Sequence, residues 1–489
     1  MIAQSRACTF WILACLDEGP DLCRLFPHAI ISEWPATMKI VLISTYELGR
    51  QPFGLASPAA WLRSSGAEVV CLDLSREPFR EEAIRGAALV AFYVPMHTAT
   101  RLAVELLKTI RELNPSAHIC FYGLYAPMNE SWLRALGVRT ILGGEFEQGL
   151  ADLAKGISVG HSAEAQSEPV VSLARQKFAI PDRTGLVALD RYARLALPNG
   201  EKRTVGYTEA SRGCKHLCRH CPIVPVYKGV FRVVDRDVVL ADIRQQVAAG
   251  AQHITFGDPD FFNGIGHAMP LVQALHREFP QVTYDATIKI EHLLKHSEFL
   301  PVLRQTGCLF VTSAVESVDD MVLEKLDKHH TRSDFLEVVR RFQEIGLTLQ
   351  PTFLPFNPWT SLESYLELLE ILQENDLVEN VAPIQLAIRL LIPAGSRLLE
   401  LDEVSAIVGR FDESAMVYPW KHSDPRVDAL SKELQQIVHT GEKLNQSRSR
   451  IFERIETAAR GAAGAPPLLK QPPMVSRATI PYLTEPWYC

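Results

Sequence analysis

Three closely spaced cysteines are the residues of this chain whose chemistry is easiest to read. Cys214, Cys218 and Cys221 follow a C-x3-C-x2-C spacing, which places three thiolates around one compact metal centre. Gly213 stands directly before them and permits a tight backbone turn. If the centre is a four-iron cluster, three protein ligands leave one iron open to a small molecule. An open coordination position distinguishes catalytic metal sites from structural ones.

A structural zinc site is the alternative interpretation of the same segment. His216 and His220 lie between the cysteines, and imidazole completes many zinc sites. The chain's ten cysteines form no disulfide framework: besides this trio, three lie in the first 37 residues and four are scattered. A tight cluster in a large chain is typical of metal binding rather than of disulfides. The spacing alone leaves iron–sulfur and zinc open.

The cysteine segment follows the first strand of a repeating strand–helix pattern. Six such units predict a partial (β/α)6 barrel of the TIM type, in which catalytic groups lie at the carboxyl ends of the strands. This position favours a catalytic centre over a structural zinc ion. The predicted strands are 205–210, 252–256, 282–286, 308–314, 348–354 and 384–391.

A second alternating region precedes the barrel. Short apolar strands with helical stretches between them, such as 98–113, predict a doubly wound, Rossmann-like parallel sheet whose ligands bind at the carboxyl ends of the strands. The loop after the first strand contains no G-x-G-x-x-G, which argues against a dinucleotide. The predicted strands are 39–45, 68–74, 88–94, 118–123 and 139–142.

The composition of the remaining segments completes the predicted domain organisation. Residues 1–37 resemble neither domain, and one hypothesis is that Met38 is the true start of the protein; the alternative is a genuine, poorly ordered arm. We predict an α/β domain, a linker, a barrel, a helical region and an extended, Pro-rich tail. Their ranges are 38–156, 157–202, 203–410, 411–465 and 466–489.

Charge and hydropathy limit the possible partners. A net charge of -7 gives no general attraction to nucleic acid or to an anionic membrane. No apolar run reaches the roughly 18 residues that a membrane-spanning helix needs. The apolar stretch 7–16 is long enough for a signal peptide, but acidic residues follow it and no small-x-small cleavage site is visible. We therefore expect a cytoplasmic protein that binds neither membranes nor nucleic acid.

The cysteine run 211–221 resembles the cluster loop of radical S-adenosylmethionine (SAM) enzymes, and three later segments match that family in order. Segment 253–262 is similar to the second-strand segment that contacts the amino group of SAM. The fourth-strand motif of the family resembles 314–317 together with 326–331, and the turn after its last strand resembles 393–396. The chain departs from the family at His220, where an aromatic residue is usual, and in 353–358, which lacks the usual Gly. The resemblance implies that SAM is bound by Asp258, Asp260, Glu316, Ser317 and Gly395.

Several of these residues also have ordinary structural interpretations. Asp258 and Asp260 are good caps for a following helix, and Lys328 is expected to be a solvated charge at a helix end. Glu316 lies on an otherwise apolar strand, where a carboxylate needs a partner. We therefore expect a functional role for Glu316 more than for the others.

The resemblance implies an enzyme with a [4Fe–4S] cluster that reductively cleaves SAM. The resulting radical would abstract a hydrogen atom from an unidentified small-molecule or peptide substrate, with electrons from a donor such as flavodoxin or ferredoxin. A methylthiotransferase is one alternative, although the N-terminal domain has no second cysteine trio and the C-terminal region is no basic RNA-binding module. A non-catalytic, zinc-stabilised binding protein is another.

The N-terminal sheet resembles the cobalamin-binding domain that precedes many radical SAM barrels. Segment 143–150 is similar to the "GE.E..l" turn of its fifth strand, but the D-x-H-x-x-G motif that supplies a cobalt-binding histidine is absent. Cobalamin bound without a histidine ligand and a cofactor-free domain both remain open. Bound cobalamin would make methyl transfer or rearrangement the leading chemistry.

The aromatic tail 482–489, which ends in Cys489, resembles a radical SAM group whose tail continues through Cys or selenocysteine into Ala-Glu-Pro. One hypothesis is that a UGA codon follows Cys489 and was read as a stop, which would make the protein a selenoprotein. The alternative is a frayed end with an incidental cysteine. The codons that follow Cys489 decide between them.

Overall fold

The computed structural model describes residues 38–159, 170–466 and 480–484. All of them belong to one compact unit, Met38–Cys489. The hypotheses about a start at Met38 and about Cys489 concern residues 1–37 and 485–489, which lie outside the described ranges.

The N-terminal region is a six-stranded parallel sheet, in the order β2-β1-β3-β4-β5-β6. The first five strands coincide with the predicted ones to within a few residues, and the sixth comes from the predicted linker. Buried apolar clusters cover both faces of the sheet, as crossover helices require. The strands are β1 Lys39–Ser44, β2 Glu68–Asp73, β3 Leu89–Tyr93, β4 His118–Tyr122, β5 Thr140–Gly144 and β6 Val171–Ser172.

Helices cross over between these strands and confirm the doubly wound arrangement. The longest of these helices, α3 His97–Leu113, has its buried residues on one face. This face packs into the larger of the two apolar clusters. The helices are α1 Phe53–Ser64, α2 Glu81–Ile84, α3 His97–Leu113, α4 Tyr125–Met128, α5 Glu130–Ala135 and α6 Glu147–Ser158.

The second sheet has seven strands, and the five strands from one edge inward are parallel and form the partial barrel. These five strands are the first five predicted for the barrel. The strands of this region are β7 Arg194–Ala196, β8 Lys202–Thr208, β9 Ser211–Gly213, β10 Phe231–Val233, β11 His253–Phe256, β12 Thr283–Thr287, β13 Cys308–Glu316 and β14 Thr348–Phe353.

Helices cover the outside of the barrel and continue into the C-terminal region. They share one large apolar core with the outward-facing side chains of the strands. No helix within the described ranges is long and apolar enough to cross a membrane. The helices are α7 Ile223–Tyr227, α8 Arg236–Ala248, α9 Ile265–Glu278, α10 Ile290–Lys295, α11 Leu300–Gln305, α12 Asp320–Lys325, α13 Arg332–Ile345, α14 Leu362–Glu374, α15 Asp402–Ser405, α16 Pro425–Lys443 and α17 Arg448–Ala463.

The sixth predicted barrel strand, 384–391, is wrong as a continuous strand. The structure has a 3₁₀ turn over Pro383–Leu386, and only one parallel bridge, between Phe356 and Arg389, extends the sheet. Pro383 lacks the N–H that a ladder needs. Arg389 also binds Asp428 of α16 through Nη1 at 2.6 Å, so a side-chain contact supplements the single bridge at this edge.

The last described segment, 480–484, lies along the opposite edge of the barrel sheet. Its strand β15, Tyr482–Leu483, pairs antiparallel with β7. Gln350 of β14, the strand at the other end of the sheet, donates to Pro481 O at 2.6 Å. The segment therefore bridges the two ends of the sheet and closes a side of the barrel.

Candidate functional site

A short hairpin holds the cysteine segment at the carboxyl end of β8. Strand β9 ends at Gly213 and pairs antiparallel with β10, so the segment between them is a loop with a fixed base. Gly213 has φ +70°, and a Cβ there would meet Val230 O at 2.3 Å. A larger residue is therefore excluded both by backbone conformation and by space.

The three cysteines line one cavity, as their spacing predicts. Burial raises the pKa of Cys214, and it raises the pKa of Cys221 to about 12. These thiols would stay protonated at neutral pH unless a metal displaces their protons. Asn263 Nδ2 lies 3.5 Å from Cys214 Sγ, an N–H to sulfur contact of the kind that tunes iron–sulfur sites.

The geometry does not favour a single zinc ion on these thiols. Sulfurs around one zinc ion lie about 3.8 Å apart, given a Zn–S distance of about 2.3 Å. Among the described residues, the one group of three potential ligands whose donor atoms all lie within 4.8 Å of one another is His216, Asp260 and His292, which includes no cysteine. The three sulfurs are thus spread more widely than one ion requires.

The two histidines of the cysteine loop are engaged elsewhere. His216 Nε2 lies 3.2 Å from Asp260 Oδ2, and Lys289 Nζ lies 3.1 Å from His216 Nδ1. His220 Nε2 lies 3.1 Å from Glu316 Oε1. His216 therefore joins the cysteine loop to the segment after β11, and His220 joins it to the end of β13.

Asp258 braces the loop that carries the cysteines. It accepts hydrogen bonds from Ala210 N at 3.0 Å and from Ser211 Oγ, and it lines the cavity. Burial raises the pKa of Asp258 to about 7, although these hydrogen bonds oppose the shift. The carboxyl group is consequently poised to change its charge near neutral pH.

Asp260 caps a 3₁₀ turn and also binds two histidines. Its Oδ1 accepts from Phe262 N at 3.2 Å, which confirms the capping interpretation, while His292 Nδ1 lies 2.6 Å from Oδ2. Burial alone would raise the pKa of Asp260, but His216 and His292 hold it at about 2. This carboxylate stays ionised and fixes the cysteine loop against α10.

Glu316 and Lys328 form a buried ion pair beside the cysteines. Lys328 Nζ lies 3.4 Å from Glu316 Oε1, and the two residues are only 3% and 7% exposed. The prediction of a solvated Lys328 is therefore wrong: the turn after α12 directs its ammonium inward. Against the effect of burial, Lys328 and His220 lower the pKa of Glu316 to about 2. Glu316 thus has the partner that its apolar strand requires.

Ser317 and Gly395 lie outside the set of cavity-lining residues. Ser317 Oγ accepts from Asp319 N at 3.0 Å and so shapes the entry to α12. Gly395 occupies a turn at φ +73°. The two residues that follow this turn bind the cysteine loop, because Ser396 Oγ donates to Arg219 O and Arg397 Nη1 donates to Leu217 O.

The cavity has a volume of about 1050 Å³ and is shared by both sheets. The cysteines, Asp258, Asp260, Glu316 and Lys328 form its barrel side. The loops that follow β1, β3 and β4 of the N-terminal sheet form the opposite wall. The residues contributed by these loops are Leu48, Arg50, Pro95 and Tyr125.

Sequence reasoning missed a buried charge network that joins the two sheets next to the cysteine loop. Arg212, two residues before Cys214, binds Glu209 and Glu147 at 2.7 and 2.6 Å and reaches Glu145 at 3.5 Å. Burial raises the pKa of Glu145 to about 7, whereas Glu147 is held below its usual value against burial by Arg212. The "GE.E" turn after β5 was a usable signal, because its carboxylates need a buried cation.

A comparison with protein families bears on this geometry. Residues 208–375 match the model of the Radical SAM superfamily. The chain carries a radical SAM domain. The match begins at the last residue of β8 and ends just beyond α14, so it covers the other four parallel barrel strands and the loops at the carboxyl ends of all five.

Curated relatives match over part of their length. The ribosomal protein uS12 methylthiotransferase RimO of Geobacter sulfurreducens is 23% identical over 36% of this chain and 41% of its own. The tRNA-2-methylthio-N(6)-dimethylallyladenosine synthase of Hahella chejuensis is 23% identical over 42% and 48%. The chain thus spans less than half the length of these relatives.

Solved structures with a similar fold cover both sheets. The radical SAM methyltransferase TsrM of Kitasatospora setae, with tryptophan and a SAM analogue bound, has a TM-score of 0.60 at 18% identity and covers 75% of this chain and 76% of its own. The cobalamin-dependent radical SAM enzyme OxsB, with aqua-cobalamin and SAM bound, has a TM-score of 0.63 at 14% identity and covers 83% and 67%. These similarities confirm the fold predicted for the two sheets.

Proposed function

We propose that this protein is a radical SAM enzyme in which Cys214, Cys218 and Cys221 hold a [4Fe–4S] cluster. The observation that carries the proposal is the position of three free thiols, too widely spread for one ion, on a cavity at the carboxyl end of the barrel. When bound, such a cluster supplies the electron that cleaves SAM to methionine and a 5′-deoxyadenosyl radical.

The residues around the cavity have distinct roles in this proposal. Asp258 and Asp260 follow β11 and face the cavity, where a carboxylate would bind the amino group of SAM. Lys328, held by Glu316, would neutralise the thiolates, since its ammonium is attracted to Cys218 and Cys221. Ser317 and Gly395 act indirectly, by shaping the turns that hold the cysteine loop. The wall from the N-terminal sheet limits access of water to the reaction.

Cobalamin-dependent methyl transfer or rearrangement is a second candidate. The observation in its favour is that the carboxyl-end loops of the N-terminal sheet open onto the same cavity as the cysteines, and this sheet shares the fold of enzymes that bind cobalamin. Leu48, Arg50, Pro95 and Tyr125 would contact the corrin. None of the cavity-lining residues from that sheet is a histidine, so the corrin would be bound without a protein imidazole on cobalt.

A methylthiotransferase reaction receives less support. Within the described part of the N-terminal domain, Cys71 and Cys120 are buried on β2 and β4, so this part offers no second cysteine trio. The match to such enzymes is confined to less than half of their length. We also propose a cytoplasmic location, an electron donor such as flavodoxin or ferredoxin, and a small-molecule or peptide substrate, because the net charge of -7 disfavours nucleic acid.

The decisive experiment is anaerobic reconstitution of the full chain with iron and sulfide, followed by reduction, addition of SAM and assay of 5′-deoxyadenosine. We expect product with the native protein and none with Cys214→Ala, Cys218→Ala or Cys221→Ala. Cys120→Ala, which removes a thiol buried in the N-terminal sheet, is the matched control and should keep the activity. Binding of zinc in place of a four-iron cluster, with no product, would refute the proposal. Added cobalamin that stays bound through gel filtration would support the second candidate.

A further inference from the structure

The interior of the barrel contains a buried acid that the proposed SAM chemistry does not use. Asp285 lies on β12, two residues before Thr287 and on the same face of the strand, and it is 5% exposed. It pairs in register with Thr255 of β11, and both residues line the cavity. The other lining residues on β12, β13 and β14 are four uncharged polar residues and three apolar ones, with Glu316 at the end of β13. They are Thr287, Thr312, Gln350, Thr352, Phe310, Ala314 and Phe353.

A chain of hydrogen bonds connects Arg203 to Asp285. Arg203 Nη1 donates to Thr283 Oγ1 at 3.2 Å, and this hydroxyl lies 2.8 Å from His253 Nδ1. The Thr283 hydroxyl also lies 3.4 Å from Gln252 O. The other ring nitrogen of His253, Nε2, faces Asp285.

Asp285 accepts hydrogen bonds from the described residues on only one of its two carboxylate oxygens. His253 Nε2 lies 2.8 Å from Asp285 Oδ1, and Thr255 Oγ1 donates to the same oxygen at 2.6 Å. Among the described residues, no Lys or Arg nitrogen lies within ion-pair distance of Asp285. Oδ2 accepts no hydrogen bond from them either, and it remains accessible from the cavity that Asp285 lines.

A carboxylate oxygen of a buried side chain is costly to leave without a donor, and a ligand in the cavity can supply one to Oδ2. We propose that Asp285 binds a protonated amine of the substrate through Oδ2, so that the substrate class is a cationic, amine-bearing molecule. This inference rests on the proposed function, because it assigns the barrel interior below the cysteines to the substrate. His253 and Thr255 act as positioning residues that hold Oδ1 and aim Oδ2 at the cavity.

The test compares three probes of similar size: n-pentylammonium, n-pentanol and n-pentanoate. Their binding to the reconstituted full chain is measured by saturation-transfer NMR, with dissociation constants from titration. We expect n-pentylammonium to bind at least about tenfold more tightly than n-pentanol, because hydrogen bonds to a charged group are about twice as strong as neutral ones. Asp285→Asn, which keeps an acceptor for His253, should abolish this preference.

Glu442→Gln is the matched control, since Glu442 also lines the cavity but belongs to α16 rather than to the barrel interior. It should leave the preference for n-pentylammonium unchanged. Equal binding of amine and alcohol to the native protein, or a preference that survives Asp285→Asn, would overturn the inference. SAM cleavage in the absence of substrate is measured in parallel. If Asp285→Asn still cleaves SAM but has lost the preference for the amine, both proposals stand. If the native protein does not cleave SAM, the proposed function is refuted, and the binding test still decides the role of Asp285.

Discussion

Removal of the Lys328 ammonium is expected to destabilise the fold by about 2 to 3 kcal/mol at neutral pH. Glu316 has a pKa of about 2 in the folded protein against an ordinary value of 4.5. At about 1.4 kcal/mol per pH unit, this difference corresponds to about 3 kcal/mol, shared between the contacts with Lys328 and His220. In Lys328→Met the carboxylate stays buried and keeps only the imidazole.

The pH dependence of this effect follows from the direction of the pKa shift. A carboxyl group whose pKa is lowered by folding contributes stability above its ordinary value, and that contribution is lost as the pH falls through the folded value. The difference between native protein and Lys328→Met should therefore be full above pH 4.5 and should shrink as the pH approaches 2.

Urea unfolding of the apoprotein, followed by tryptophan fluorescence, measures the effect. Lys325→Met is the matched control, since Lys325 pairs with Glu403 at 2.5 Å but both side chains are more than a third exposed; its cost should stay below about 1 kcal/mol. Replacing both partners, as Glu316→Gln with Lys328→Met, should be milder than Lys328→Met alone. Equal costs for Lys325→Met and Lys328→Met would refute the reasoning.

Three further predictions concern the surroundings of the cysteine loop. Gly213→Ala should reduce iron binding on reconstitution, because its Cβ would collide with Val230 O; full iron content would contradict this. Asp258→Asn should gain stability relative to the native protein as the pH rises from about 4 to 7. The reason is that the raised pKa makes ionisation of the buried Asp258 costly in that range. A difference in urea midpoint that does not change with pH would contradict this prediction. Arg212→Lys should lower the urea midpoint far more than Arg236→Lys, which changes a half-exposed guanidinium, because Arg212 alone binds several buried carboxylates.

The regular elements and the cysteine loop could be predicted because their signals are local. Short apolar runs separated by amphipathic stretches predicted the strands of both sheets, and the spacing of Cys214, Cys218 and Cys221 placed the loop after β8. The run 384–391 was misread as a strand because its apolar residues have the same pattern, while the contact of Arg389 with Asp428 that holds it is not local.

The charged contacts of the site could not be predicted in the same way. The burial of Lys328 depends on a turn that brings its ammonium back to Glu316 and to the cysteines. Arg212 meets its carboxylates across the boundary between the two sheets, where the pair with Glu147 joins residues 65 positions apart. Asp285 and His253 each look ordinary on a strand, and only the parallel register of β11 and β12 brings them together.

Segment 480–484 closes the barrel and forms a wall of the cavity whose opening has its own free energy, separate from that of global unfolding. Two of the hydrogen bonds that hold this wall join residues far apart in the sequence. Gln350 and Pro481 are 131 positions apart, and Arg194 and Thr484 are 290 positions apart. Segments held by few contacts open at much lower free energy than the whole fold. Amide exchange in β15 should accordingly be fast while β8 and β11 stay protected, and small molecules would exchange with the barrel interior at the rate of this local opening.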